Sequence, residues 1–177
     1  DDLEVGIERG KSSLILPLMV WFQWVEFNPN LNAPKKEKVL NKSVDPTSKL
    51  AEEAANYVTA INSDGKKVNK VTESYNFIVL APLIGGFDRF FVLSLQRSAH
   101  KVAKMWINRM HNMRVGGAKI NMWRNTWELG SEFKDEGPQK KFFVPVIDKP
   151  QPVAEDRWEF LNNVSSKLRE SRAAMAA

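Results

Sequence analysis

Apolar runs rich in β-branched and aromatic residues recur along the chain between turn-forming residues, a pattern typical of β-strands. The longest apolar run, SLILPLMVWFQWVEF, is rich in branched and aromatic residues and predicts a long first strand. Ile84-Gly85-Gly86 predicts a turn that joins two later runs into an antiparallel pair. The pattern predicts five main strands, at 13–27, 75–83, 87–96, 119–133 and 140–147.

Apolar residues spaced by three or four predict two amphipathic helices. The first begins after a Ser98 cap and reaches about Met113, where Gly116-Gly117 supplies the left-handed conformation of a helix end. The second covers 158–172 and follows DKPQPVAED, which indicates a proline-rich linker. The apolar stripe of the first helix is Val102, Met105, Trp106, Met110 and Met113, and that of the second is Trp158, Leu161, Val164 and Leu168.

The connection after the first strand, 28–74, is long, basic and rich in turn-forming residues. Its middle fits two structures. The residues after Ser48 fit a short capped helix, but YVTAINSDGKKVNKV also fits a hairpin around Asp64-Gly65. We expect the helix to reach about Asn56 and the hairpin to follow it.

The predicted elements follow one another as strand, long connection, strand, strand, helix, strand and strand. This is the order of the OB-fold, a small Greek-key barrel, so the predicted fold class is β-rich α+β with a five-stranded OB-like barrel. Its helix lies between strands 3 and 4, with an elaborated loop after strand 1. We expect the OB-like domain to cover 1–150, and the linker with its C-terminal helix to cover 151–177.

The distribution of charged residues along the chain is more informative than the net charge. The 177 residues carry a net charge of +5, and 43% of them are hydrophobic, which is enough for a substantial core. Residues 1–27 hold five acids and two bases, whereas 89–127 hold eight Lys or Arg and no acid. Such unevenness indicates a polyanionic partner.

The sequence offers little for catalysis, so we expect the protein not to be an enzyme and to need no cofactor or metal. It has no cysteine, and its two histidines, His100 and His111, have no carboxylate between them. No glycine-rich phosphate loop is followed by Lys and Ser or Thr. A metal-dependent, nuclease-like alternative would use Glu132, Asp135 and Glu136, although charges around a turn are usually just solvated.

The acid-free segment also carries three tryptophans, and cations beside flat rings are what an unpaired polynucleotide requires. Trp106 falls on the apolar helix stripe and is expected in the core. Trp123 and Trp127 fit burial and base stacking equally well. Phe90 and Phe91 point to opposite faces of their strand, so at most one of them meets a ligand.

Basic and aromatic residues of the strands and the first helix form the candidate nucleic-acid site. Lys101 and Lys104 taken alone fit simple solvation better than phosphate binding; their coincidence with neighbouring Arg and aromatic residues favours binding. Lys140 and Lys141 precede Phe142-Phe143 and repeat the combination of cation and ring. The candidate residues are Phe77, Arg89, Phe91, Arg97, Lys101, Lys104, Lys119, Trp123, Arg124, Trp127, Lys140 and Lys141.

Part of the chain resembles a group of bacteriophage single-stranded DNA-binding proteins. The likeness covers about residues 74–147 and is carried by SYNFIVLAPLIGGFDRFFVLSLQRSAHKVAKMWINRM and by Phe143-Val144-Pro145. It implies an OB-fold that coats single strands during phage replication or recombination. The chain differs from this group in its last residues, SRAAMAA, because many such proteins carry an acidic tail there that recruits partners. The resemblance points to Phe77, Arg89, Phe91, Arg97, Lys101 and Lys104 without assigning contacts.

We therefore expect sequence-nonspecific binding of single-stranded DNA by phosphate neutralisation and aromatic stacking, in the cytoplasm of a phage-infected host. Replication or recombination proteins are the further partners expected, and no membrane is involved. The alternative is a phage structural or assembly protein that uses the helix at 158–172 for subunit docking or for forming a homo-oligomer.

Overall fold

The computed structural model describes residues 12–82, 89–96, 99–135, 137 and 141–176, and within them the chain is mostly β-sheet with three helices. The helices are α1 (Lys49–Ala55), α2 (His100–Asn112) and α3 (Trp158–Ala176). None of these three has the length and apolar character needed to span a bilayer. The strands are β1 (Ser13–Phe27), β2 (Val39–Ser43), β3 (Thr59–Ile61), β4 (Lys67–Asn69), β5 (Val71–Leu80), β6 (Phe90–Gln96), β7 (Arg114–Val115), β8 (Ala118–Lys119), β9 (Asn125–Asp135) and β10 (Lys141–Pro152).

The main sheet is open and antiparallel, and it joins its strands in the order β10-β9-β1-β5-β6, with β2 paired to β1. The five strands in that path are the ones that the hydrophobic pattern predicts. In chain order α2 lies between the third of them, β6, and the fourth, β9. A β6–β10 pair would close the sheet, and it does not occur among the described strand pairs, so the OB-like barrel stays a prediction. The predicted turn at Ile84-Gly85-Gly86 and the Ser98 cap lie outside the described residues.

The first long helix ends within one residue of its predicted end, but the role predicted for its glycines and the predicted proline-rich linker are both wrong. Gly116 and Gly117 do adopt positive φ angles, 56° and 82°, but they turn the small β7–β8 hairpin after α2 has ended at Asn112. The proline-rich segment predicted as a linker is largely strand, because β10 continues to Pro152. β10 lies at an edge of the sheet, where a proline without an N–H interrupts no ladder of hydrogen bonds.

The chain divides into two compact units, and unit 1 comprises residues 1–20, 77–93 and 101–177. In its core, side chains of β1 and β5 pack with α3. Ser165 of α3 donates a hydrogen bond from Oγ to the Leu18 backbone oxygen at 2.8 Å. The helix expected on a linker is therefore a core element of unit 1. The core residues are Leu16, Leu18, Leu80, Trp123 and Leu161, with Trp158, Val164 and Leu168 half-buried against them.

Unit 2 comprises residues 21–76 and 94–100. Both predicted elements of the long connection are confirmed there. α1 begins after Ser48, whose Oγ accepts a hydrogen bond from the Ala51 N–H at 3.3 Å, and it ends just before Asn56. The β3–β4 hairpin turns at Asp64-Gly65, where Gly65 has a φ of 73°. Helix and hairpin were alternatives for overlapping residues, and the chain forms them in succession.

An ion-pair network joins three segments of unit 2. Lys70 Nζ lies 2.9 Å from Glu53 Oε2 and 3.4 Å from Glu26 Oε1. Asn41 donates to Glu26 at 2.6 Å, and this hydrogen bond is the main reason that the pKa of Glu26 lies below its usual value. The contact with Glu53 raises the pKa of Lys70. Both carboxylates are thus compensated, while other lysines of the connection remain exposed.

Replacing Leu161 by Ala tests whether α3 belongs to the core. Because the Leu161 side chain is fully buried, we expect its truncation to lower the free energy of unfolding by about 2–5 kcal/mol in urea titrations. Phe160 is the matched control, since it is the preceding residue on the same helix and is 46% exposed. Phe160→Ala should change stability by less than about 1 kcal/mol. Equal effects of the two substitutions would contradict the packing described for α3.

Candidate nucleic-acid interface

The large rings of the predicted site lie inside unit 1. The ring centroids of Phe77 and Trp106 are 4.5 Å apart, and those of Trp106 and Trp127 are 6.0 Å apart at 78°. Phe77 is 0% exposed, Trp127 1% and Trp123 3%. The inclusion of these three residues in the candidate nucleic-acid site is therefore corrected, and of the two alternatives for Trp123 and Trp127 the structure favours burial. Trp106 lies in the core, as its place on the helix stripe predicts.

Trp123 lies in a turn of 3-10 helix and not in a strand, and it is buried like Asn125 and Trp127. Met122–Arg124 form one turn of 3-10 helix, and β9 begins only at Asn125. The alternation predicted for 119–133 consequently starts six residues late. Within β9, Asn125 and Trp127 share the buried face, and Trp127 pairs with Ile15 of β1.

Arg124 stacks on an indole. Its guanidinium carbon lies 3.2 Å from the ring centroid of Trp158 and 5.3 Å from that of Trp123. The Arg124 Nε is buried and has no hydrogen-bond partner among the described residues. Arg124, which was predicted to bind phosphate, thus joins the 3-10 turn to the start of α3. Its cation–π contact with Trp158 supports the fold.

Exposed basic residues of α2 and of the β7–β8 hairpin form a surface that we name the basic stripe, defined as Lys101, Lys104, His111, Arg114 and Lys119. The helix members are spaced by three and by seven residues, so they lie along one side of α2. Lys119 Nζ lies 3.1 Å from His111 Nδ1, and Arg114 donates to the His111 backbone oxygen at 2.7 Å. The hairpin cations therefore continue the row at the end of the helix.

Two carboxylates, Asp148 of β10 and Glu128 of β9, are compensated by cations outside the stripe. Asp148 accepts from Arg109 at 2.7 Å, and this hydrogen bond is the main cause of its lowered pKa. Lys149 lies 2.8 Å from Glu128, and its hydrogen bond is the main reason that the pKa of Glu128 is lowered. Arg109 and Lys149 thus offset the charge of these acids.

Two half-exposed rings face each other across the β9–β10 hairpin. Phe133 pairs in register with Phe143, their centroids are 5.3 Å apart, and the planes are tilted by 55°. Phe133 is 51% exposed and Phe143 47%. Phe133 was not among the residues predicted from the sequence. Pairing the strands directly around DEGPQ would place it opposite Lys141, so only the observed register, with Asp135 opposite Lys141, brings it opposite Phe143.

The remaining predicted residues have mixed positions. Arg89 is exposed, and on β6 the ring of Phe91 is half-buried while that of Phe90 is half-exposed, as opposite faces require. Arg97, Lys140 and the side chain of Lys141 lie outside what the structure describes.

No group of three or more His, Asp or Glu side chains suited to hold a metal ion occurs among the described residues. Of the acids proposed for a cation, Glu132 pairs with Lys134 at 2.7 Å. Glu136 lies outside the described ranges. The described part of the cluster therefore gives the nuclease-like alternative no support.

Comparison with known proteins gives one match. The family model described as Pam3 phage gp34-like protein matches residues 7–174, nearly the whole chain. No curated protein and no solved structure matches the sequence significantly.

Replacing Arg124 by Ala tests whether this residue supports the fold. We expect the free energy of unfolding to fall by about 1–2 kcal/mol, because the stack on Trp158 is lost and a half-buried stem leaves a gap. Lys119→Ala, at an exposed position, should change it by about 0.5 kcal/mol or less. Chemical denaturation measures both variants, and an unchanged stability of Arg124→Ala would contradict the assignment.

Proposed function

The chain belongs to the Pam3 phage gp34-like protein family, and from that premise we propose that it binds single-stranded DNA without sequence preference, in phage DNA replication or recombination. Binding combines neutralisation of phosphates by the basic stripe with stacking of unpaired bases on surface rings. Binding of this kind requires no catalytic group.

The basic stripe is the observation that carries the proposal. Its cations are exposed, its segment from 89 to 127 contains no acid, and Asp148 and Glu128 nearby are compensated. A polynucleotide gains affinity when such cations displace its condensed counterions, and each carboxylate in the path would oppose this. A helix surface that only faced solvent would tolerate acids among its basic residues, so solvation alone does not explain their absence from residues 89–127.

The strand order supports an OB-like architecture whose usual ligand regions include the β9–β10 turn, whereas the basic stripe lies in the connection between the third and fourth main strands. Numbering the five main strands along the chain, the path β10-β9-β1-β5-β6 reads 5-4-1-2-3, and closing the third strand on the fifth would give the Greek-key barrel. OB-folds bind oligonucleotides on strands 2 and 3 and on the loops after strands 1 and 4. Those regions here are β5, β6, the connection 28–70 and the β9–β10 turn.

Phe133 and Phe143 are the rings that we assign to base stacking, in place of the buried Phe77, Trp123 and Trp127. Both flank the β9–β10 turn and both are half-exposed. An exposed aromatic pair contributes less to the fold than a buried one, whereas a base stacked on it would cover the apolar surface. Each stacked base is worth about 1–3 kcal/mol.

The alternative of an assembly protein that docks through α3 has less support. The apolar stripe proposed for docking, including Leu161 and Val164, already packs into the core of unit 1. Docking through that stripe would require α3 to leave the core.

Charge reversal in the stripe tests phosphate binding. We expect Lys101→Glu/Lys119→Glu to weaken binding of a labelled dT oligomer by at least about tenfold, measured by fluorescence anisotropy. The slope of log K against log salt should also become shallower, by about 0.7 per lost phosphate contact. Intrinsic tryptophan fluorescence suits this test poorly, because Trp106, Trp123 and Trp127 are buried.

Lys167→Glu is the control for charge alone, since Lys167 is exposed on α3 and lies outside the acid-free segment in sequence. It changes the net charge by −2, whereas the double variant changes it by −4, so a loss of binding free energy half as large as that of the double variant would show that only net charge matters. If the unchanged protein fails to bind dT oligomers at about 50 mM salt, the proposed function is wrong.

Removing a surface ring tests stacking separately. Phe133→Ala should reduce affinity for the dT oligomer by about 1–3 kcal/mol while leaving the salt dependence unchanged, because no phosphate contact is lost. Phe160→Ala removes a ring of similar exposure from α3 and should leave affinity unchanged. Equal affinities of the Phe133 variant and the unchanged protein would remove this ring pair from the site.

A further inference from the structure

Tyr57 occupies a backbone position that favours glycine. It follows α1 with a φ of 51°, in the left-handed region. Its N–H donates to the Ala54 oxygen at 3.1 Å, and the Val58 N–H donates to the Glu53 oxygen at 3.0 Å. These two hydrogen bonds form a Schellman motif, in which the left-handed residue is usually Gly because a Cβ crowds the neighbouring carbonyl oxygen.

The ring of Tyr57 contributes little packing in return for this strain. It is 76% exposed, more than any other exposed large hydrophobic side chain in the described residues. Val58 and Ile61 beside it in sequence are also exposed, at 37% and 63%. A strained residue whose side chain points into solvent indicates a role outside folding, because glycine would end the helix with less strain.

We propose that Tyr57 stacks on an unpaired base of a bound single strand and so provides an aromatic contact within unit 2. This inference rests on the proposed function and extends it to residues 28–70, the part of the long connection that precedes β5. A planar phenol, nearly free of protein contacts, offers its face to any base, which suits binding without sequence preference.

The charge around Tyr57 favours a polynucleotide over a protein as the occupant. The connection 28–70 contains eight Lys, no Arg and five acids. Glu53 pairs with Lys70, which leaves seven Lys and four acids, so the connection keeps its net charge of +3. Cores of protein–protein interfaces are enriched in Arg and depleted in Lys, whereas phosphates accept either cation.

Hydrogen bonds fix the segment that carries the ring relative to neighbouring lysines. The Lys70 N–H donates to the Val58 oxygen at 2.9 Å, so the end of β4 is tied to the residue after Tyr57. Lys66 and Lys67 of the same hairpin are exposed, and Lys67 pairs in register with Ile61. A strand of DNA stacked at Tyr57 therefore has phosphate partners on a short, well-defined hairpin.

Tyr57→Gly separates the two roles of this position, because it should stabilise the fold and weaken binding. We expect the Tm to rise by about 2–4 °C in thermal unfolding, since the left-handed strain is relieved. Affinity for a labelled dT oligomer should fall roughly 5- to 150-fold. Tyr57→Phe retains the ring and should retain the affinity of the unchanged protein.

The possible results are distinguishable. If the unchanged protein binds dT oligomers and Tyr57→Gly binds them equally well, the role of Tyr57 is refuted while the proposed function stands. If the unchanged protein does not bind, both fall. A Tm that fails to rise refutes the claim that the fold is strained by this residue. If affinity is kept and light scattering shows a changed mass, Tyr57 serves contact between protein copies, and the assignment to a base is overturned.

Discussion

Packing of the Phe77, Trp106 and Trp127 rings is the constraint on which unit 1 depends. One ring comes from β5, one from α2 and one from β9, so their contact brings together elements that are distant in sequence. Buried rings of this size contribute more apolar area than any other side chains. Trp106 points inward from α2 while Lys101 and Lys104 of the same helix are exposed, so the acid-free segment supplies both core and charge.

The strands and helices were predictable where periodicity alone decides them. β1 has the predicted bounds, and the three- and four-residue spacing identified α2 with Trp106 on its buried side. The sequence also showed which lysines of α2 would be exposed. It could not show which face of β9 is interior, since a face bearing Asn125 and Trp127 has no polarity that decides the matter. Trp123 precedes Asn125 and Trp127 at the same spacing of two and is buried with them, so its burial was undecided for the same reason.

The rings assigned to the surface depend on geometry that periodicity does not contain. Phe133 and Phe143 become a pair only through the register of β9 and β10, and that register is set by pairing across the whole hairpin. The pairing of Asp148 with Arg109 joins residues far apart in sequence, so compensation of this acid was also not predictable. Short-range signals identified the elements, and long-range contacts decided which side chains a ligand can reach.

The hydrogen bond from Ser165 to Leu18 has a consequence for how the protein is made. The two residues are 147 positions apart, and Leu161 completes a core begun by Leu16 and Leu18. A nascent chain emerging from the ribosome therefore cannot finish this core until α3 has been translated. Contacts of such long range slow folding, so the early strands are expected to wait, with apolar surface uncovered, in a chaperone-accessible state during synthesis.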